Sequence, residues 1–170
     1  MDWESILHRE IRPEEGLGEE LFLAVSSLVP IVNVDLLVYD SRGRFLLSWR
    51  DDPYCGCGWH VPGGCIRFRE TCKERIRKVA LNELGIQDIL YDTEPIKVFE
   101  IINHEHREIE NQNARGHFIT LVYKCYAPDG FSLENQRFKE GEAGYLKWFN
   151  CLPDNLLAIQ SCYHSLFNNP

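Results

Sequence analysis

The sequence predicts an α+β fold, a sandwich of helices around a mixed β-sheet, and three observations carry that expectation. Apolar, β-rich runs recur at residues 31–39, 45–49, 96–102, 117–126 and 145–150. Two segments, 71–84 and 153–167, carry helical patterns instead. Strands therefore stand before, between and after two substantial helices, which is neither a regular βαβ alternation nor an all-β pattern.

The elements follow in chain order. Residues 1–28 hold two short amphipathic patterns broken by Pro13, Gly16 and Gly18, expected as helices outside the sheet. Residues 1–18 are taken as an N-terminal helical extension and 19–170 as one domain. The run IVNVDLLVY, the turn Asp40-Ser-Arg-Gly43 and the strand 45–49 predict a hairpin. Residues 51–58, rich in Asp, Pro and Gly, predict a loop, and Pro62-Gly63-Gly64 a turn. In 71–84, Ile76, Val79, Ala80 and Leu84 form one apolar stripe, and Gly85 is a natural stop. The polar stretch HEHREIENQNARG separates two strands and has the character of a functional loop.

Composition narrows the function. The chain has 170 residues, 44% hydrophobic and 26% charged, with a net charge of −8. That charge argues against a nucleic-acid-binding surface, so an anionic ligand needs a locally positive pocket or a bound cation. No apolar run approaches the ~20 residues that cross a bilayer. The N-terminus MDWESILHRE does not resemble a secretion signal, so the seven cysteines are expected as reduced thiols in a cytoplasm. Cys55, Cys57, Cys65 and Cys72, with His60, match no common zinc spacing.

The chemistry concentrates in GGCIRFRETCKERIRKVALNELG, residues 63–85. Paired glycines let backbone groups approach a metal or phosphate closely. A helix that starts there turns its positive end toward an anion. Acids on one helix face bind Mg²⁺ through oxygen, and the ion bridges to phosphates. Here the helix carries Glu83 with Val79 and Asn82 nearby, few acids for a multi-metal site. The bland alternative is a helix with a solvated face and a glycine stop.

The spacing from Gly64 through Glu70, Lys78, Glu83, Gly85 and Ile86 resembles the Nudix box, G-x5-E-x7-R-E-U-x-E-E-x-G-U with U aliphatic. It departs from that box at Lys78, Val79 and Asn82. The segments VPIVNVDLLVYDSRGRFLLSWR, GWHVPGG, RET, NELG and YLKWF resemble the GDP-mannose mannosyl hydrolase branch, from about residue 20 to about residue 165. The resemblance implies a Nudix-type α/β/α sandwich with a mixed sheet. It also implies water attack at the anomeric carbon of a nucleotide sugar, releasing GDP and free sugar. By the same resemblance Gly63 and Glu83 hold the metal, and Glu70 supports the turn and helix. Arg50 contacts the diphosphate, Asp35 holds a ligand hydroxyl or base, and Lys78 takes the place of the box arginine. His104 stands near the leaving diphosphate.

Cys65 replaces an arginine of the branch, and Glu142-Ala143 replaces its metal-binding Gln and general-base His. Glu142 is then a metal ligand, and the base is one of Glu142, His104, His106 and His117. The cofactor is Mg²⁺, with Mn²⁺ as the alternative, and the assembly implied is a homodimer. Two other functions remain open: a pyrophosphohydrolase of a nucleoside diphosphate derivative, and a nucleotide-binding domain without turnover.

Overall fold

The computed structural model describes residues 15–103 and 113–167. A short helix, α1 (Glu19–Ser26), precedes the sheet. The strands are β1 (Ile31–Tyr39), β2 (Phe45–Asp52), β3 (Gly56–His60), β4 (Gly63–Cys65), β5 (Leu90–Tyr91), β6 (Lys97–Ile102), β7 (His117–Tyr126) and β8 (Leu146–Phe149). Helix α2 (Cys72–Leu84) lies between β4 and β5. A 3₁₀ helix, Ala158–Tyr163, and one turn, α3 (His164–Phe167), follow β8.

Strand β1 organises the sheet. It runs parallel to β7 along its whole length, from Ile31↔Phe118 to Tyr39↔Tyr126. Its other edge pairs antiparallel with β4, setting Asp35 opposite Gly63 and Asn33 opposite Cys65. Strand β6 pairs antiparallel with β7. The residues Val34 to Val38 are all buried, as a strand covered on both faces requires. Val34, Leu36 and Val38 pack with Ile76, Val79, Ala80 and Leu84 of α2. Leu37 joins Trp59, Phe99, Phe118 and Tyr163 in a second cluster. The sheet thus carries α2 over one core and the C-terminal 3₁₀ segment against the other, which is the expected sandwich with a mixed sheet.

The structure departs from the expectations at three places. The turn at 40–43 forms, but β1 and β2 pair only at Tyr39↔Phe45. They then diverge, β2 pairing with β3 on one side and β8 on the other, so the tight hairpin is β2–β3. Residues predicted as a loop at 51–58 largely belong to that hairpin, because Gly56 takes a φ of 81° and turns the chain within a few residues. The segment 153–167 forms only the 3₁₀ stretch and the last turn. Its residues Leu157, Gln160 and Tyr163 are buried, and Leu157 N–H and Gln160 bond back to Trp59 and Val61 of the β3 region rather than up a helix.

Helix α2 has well-defined ends. The Thr71 hydroxyl accepts from Glu74 N–H at 3.2 Å, and the Glu74 carboxylate accepts from Thr71 N–H at 2.8 Å. Gly85 closes the helix with a φ of 69°. Replacing Thr71 with alanine removes this reciprocal cap. The expected loss is about 1 kcal/mol, which for a chain of this size lowers the melting midpoint by roughly 2–4 °C in a thermal scan.

Candidate active site

The turn between β4 and α2 is built around Glu70. Its side chain is 4% exposed. Oε2 accepts from Arg67 N–H at 2.9 Å and from Arg75 Nε at 2.7 Å, and Oε1 lies 2.9 Å from Lys78 Nζ. Burial alone would raise the Glu70 pKa. The Arg67 amide, Lys78 and Arg75 outweigh it and hold the carboxyl below its ordinary value. Glu70 therefore fixes the loop that leads from Gly63 and Gly64 of β4 into α2.

Those glycines are required by close approach. A Cβ on Gly63 would overlap Asp35 Oδ1 across the β1–β4 pair, and one on Gly64 would come 3.1 Å from Val79 Cγ2. Val79 is 3% exposed and packs behind the glycine turn, so it belongs to the core rather than to an open helix face. Asn82 and Glu83 line open space one turn later.

Two cavities meet at this place. One, of about 300 Å³, is lined by Asn33, Asp35, Gly63, Gly64, Cys65, Thr120 and Gln160 among others. The other, of about 480 Å³, is lined by Asp51, Asp52, Asn82, Glu83, Ala143 and Gly144. Arg50, His60 and Arg115 line both. The structure therefore brings Asp35, Arg50, Gly63 and Glu83 around one shared wall.

Asp35 is 4% exposed and accepts from the Tyr163 hydroxyl at 2.7 Å. Burial raises its pKa to about 7. The Tyr163 hydrogen bond and Arg50 pull it down, and Glu83 pushes it up. Arg50 lies 3.5 Å from Asp52. Burial raises the Cys65 thiol, with Arg115 the leading cation pulling it down. A guanidinium from a distant loop thus stands near the cysteine that follows the glycines. Arg115 holds a φ of 53°, rare for a non-glycine residue, and its guanidinium stacks 4.9 Å from the Tyr54 ring.

Other expected site residues lie elsewhere. Lys78 is bound to Glu70 and lines neither cavity. The Glu142 carboxylate accepts from Lys139 N–H at 2.9 Å, closing its own exposed turn, while Ala143 and Gly144 reach the larger cavity. His117 pairs with Glu100 at 3.2 Å on the surface of β6 and β7. His104 and His106 fall outside the described residues.

The sequence reading gave no such place to His60 and Arg115. His60 is 5% exposed, with Nδ1 2.8 Å from the Ser48 carbonyl and Nε2 3.8 Å from Glu83 Oε2. Among the described residues, three of the six buried side-chain polar atoms without hydrogen-bond partners, Asn33 Oδ1, His60 Nε2 and Arg115 Nε, are on residues that line the smaller cavity. Buried polar atoms are normally paired, so this clustering marks a place where a polar ligand completes the set. The only signals available in sequence were a histidine next to Val61-Pro62-Gly63-Gly64 and an arginine closing the polar loop.

Among the described residues, no group of three or more His, Cys, Asp or Glu side chains is arranged to hold a metal. One carboxylate, Glu83, and the nearby glycine turn suit a cation whose remaining positions are filled by water and phosphate, as Mg²⁺ prefers. No helix among the described residues is long and apolar enough to cross a membrane.

No family model matches the chain. It is 25% identical over 125 residues to the low-salt glycan biosynthesis protein Agl8 of Haloferax volcanii, covering 74% of this chain and 78% of that protein. Among solved structures, a MutT Nudix hydrolase from Burkholderia pseudomallei matches with a TM-score of 0.52 and 25% identity, covering 76% of this chain and 92% of that one. A chain described as a possible asymmetric diadenosine tetraphosphate hydrolase, from Jonesia denitrificans, matches with a TM-score of 0.57 and 16% identity, covering 81% and 91%. With the glycine–helix segment in place beside β1, these likenesses show that the chain has the fold of the Nudix hydrolases.

Proposed function

We propose that the chain is a divalent-cation-assisted hydrolase of a nucleotide sugar, GDP-mannose-like, releasing a nucleoside diphosphate and free sugar by water attack at the anomeric carbon. The observation that carries this reading is the shared wall: Arg50, His60 and Arg115 line both cavities, between Asp35 on one side and Glu83 on the other. An extended substrate with a diphosphate at that wall would reach into both spaces. Two guanidinium groups there supply paired donors for phosphate oxygens in a chain whose net charge is −8. The Haloferax relative's name, a glycan biosynthesis protein, supports a sugar-linked substrate.

The residues divide the work. Gly63 and Glu83 are the ligands proposed for Mg²⁺, or Mn²⁺ in its place, which when bound neutralises charge on the departing diphosphate. Glu70 and Lys78 position the turn that joins β4, which carries Gly63, to α2. Arg50 and Arg115 bind the diphosphate, with Arg115 taking over the contact that Cys65 cannot make. Asp35, whose pKa burial raises to about 7, offers a hydroxyl-binding group in the smaller cavity. Proton removal from water falls to Glu142 or His104 in this reading, since Ala143 has no base. For Glu142 this requires leaving the Lys139 amide. Dimerisation and a cytoplasmic setting belong to the same reading; the first rests on the branch resemblance, the second on the seven cysteines and the N-terminal sequence.

A second reading, cleavage at phosphorus, is favoured by one observation: Ala143 lines the larger cavity where the branch carries its base. Hydrolysis of a nucleotide-sugar panel in ¹⁸O-water separates the two. Label in the free sugar, with nucleoside diphosphate as product, is the expected result. Label in a phosphate, with nucleoside monophosphate and sugar phosphate, replaces it with the pyrophosphohydrolase reading. Nucleotide binding without turnover makes the domain a binding module.

A further inference from the structure

We infer that His60 is itself a ligand of the cation bound at Glu83, and that it shifts the site's ion preference from Mg²⁺ towards a transition ion, most strongly Co²⁺ or Zn²⁺ and to a smaller degree Mn²⁺. This deepens the proposed function and rests on its placement of the cation beside Glu83.

The β2–β3 register sets His60 directly across from Ser48. The Ser48 carbonyl can only accept, so the ring proton of a neutral His60 sits on Nδ1, 2.8 Å from that oxygen. The Nε2 lone pair is then left facing Glu83. It has no hydrogen-bond partner among the described residues, on a side chain 7% exposed. Two acceptors thus face each other at 3.8 Å. A buried acceptor left unmade costs about 1–3 kcal/mol, so something normally fills such a gap.

A shared proton does not, because 3.8 Å is well beyond hydrogen-bond length. A cation does. Two ligand atoms each about 2.1 Å from one ion stand roughly 3.0–3.4 Å apart in octahedral or tetrahedral sites. Glu83 is 30% exposed and has freedom to close the remaining roughly 0.4–0.8 Å.

The other ring nitrogen supplies an independent argument. Metal-bound histidines almost always donate their second N–H to a carboxylate, a carbonyl or water, which fixes tautomer and ring orientation. His60 already makes that bond to Ser48, and the strand pair holds it rigidly. Imidazole nitrogen favours borderline ions, whereas carboxylate oxygen alone suits Mg²⁺. A mixed nitrogen–oxygen pair with open positions fits Mn²⁺, Co²⁺ or Zn²⁺ and leaves room for phosphate oxygens.

The test uses the metal alone on the full chain after chelator treatment. Co²⁺ binding is followed by visible absorption, Mn²⁺ binding by loss of the free-ion EPR signal, and Mg²⁺ by competition against Mn²⁺. His60→Gln is expected to weaken Co²⁺ by at least the roughly 10–100-fold that changes one shell further from a metal produce, and Mn²⁺ to a smaller degree. Mg²⁺ is expected to shift much less, and Glu83→Gln to weaken all three. Pulsed EPR of the Mn²⁺-loaded wild-type chain is expected to show a directly coordinated ¹⁴N that His60→Gln removes. Co²⁺ affinity unchanged in His60→Gln overturns the inference, as does absence of ¹⁴N coupling in the wild type, which needs no variant to fold. If Glu83→Gln still abolishes binding in that case, the proposed cation site stands without His60. Failure of the wild-type chain to bind any of the three ions overturns this inference. Hydrolysis in excess chelator would then remove cation assistance from the proposed function as well.

Discussion

Replacing Glu70 with alanine is expected to destabilise the fold by roughly 3–5 kcal/mol, because it strands a buried charge. Arg75 is 8% exposed and its guanidinium meets Glu70 Oε2 at 2.6 and 2.7 Å. Without Glu70 that cation, and the Arg67 amide, lose a partner that water cannot easily replace. Lys78 holds the other carboxylate oxygen but is 49% exposed, so Lys78→Ala is expected to cost less than about 1 kcal/mol. The contrast separates a buried anchor from a surface pair. The pH dependence has a definite sign. Glu70 titrates below its ordinary value in the folded chain, so its contribution is full above the unfolded value. It is lost as pH falls through the folded value, and the gap between wild type and Glu70→Ala should narrow below about pH 4. Urea unfolding at pH 7 and at pH 3.5 measures both. A cost at pH 7 no larger than that of Lys78→Ala would show that Arg75 finds another partner and that Glu70 does not set the turn.

Much of the fold was legible because it is local. The run 31–39 is long, β-branched and bounded by Pro30 and Asp40, and it forms β1 with those bounds. The stripe of Ile76, Val79, Ala80 and Leu84 buries as its spacing demands, between a Thr71 cap and a Gly85 stop. The failures are long-range. Nothing in the sequence of β2 says that it leaves β1 after one pair and joins β8, nearly a hundred residues away. The C-terminal pattern looked helical, yet Gln160 and Tyr163 turn to Val61 and Asp35, and those bonds outweigh local helical propensity.

The site divides in the same way. Gly63, Glu70 and Glu83 could be found from spacing, because the turn and helix fix their relation. Arg115 and His60 could not, since the loop end carrying one and the strand pairing that orients the other are tertiary facts. Lys78 shows the limit of spacing alone. Its position along the helix was right for the motif, but its ammonium is committed to Glu70.

Asp35→Asn is expected to change the pH profile of stability in the opposite sense to Glu70. Burial raises the Asp35 pKa to about 7, so between its unfolded value and 7 the folded chain binds more protons than the unfolded one. Stability then falls as pH rises through that window and levels off above it. A three-unit shift sets a ceiling of about 4 kcal/mol on the loss. Asparagine keeps an oxygen for the Tyr163 hydroxyl, which now bonds Oδ2 at 2.7 Å, and never ionises. The variant should therefore lack this slope and gain on the wild type between pH 4 and 8 when both are unfolded by urea in excess chelator. Loss of a charge beside Arg50 subtracts from the gain, but that guanidinium also has Asp52 at 3.5 Å. Parallel pH profiles for the two proteins would mean that Asp35 titrates alike in the folded and unfolded chain, with the Tyr163 hydrogen bond and Arg50 offsetting burial. The distinction bears on recognition: a neutral Asp35 can donate to a ligand hydroxyl, whereas an ionised one only accepts and repels a phosphate. Chelator removes the complication of a cation near Glu83, which would favour the ionised form. Adding Mn²⁺ back should accordingly raise wild-type stability at pH 7 more than that of Asp35→Asn.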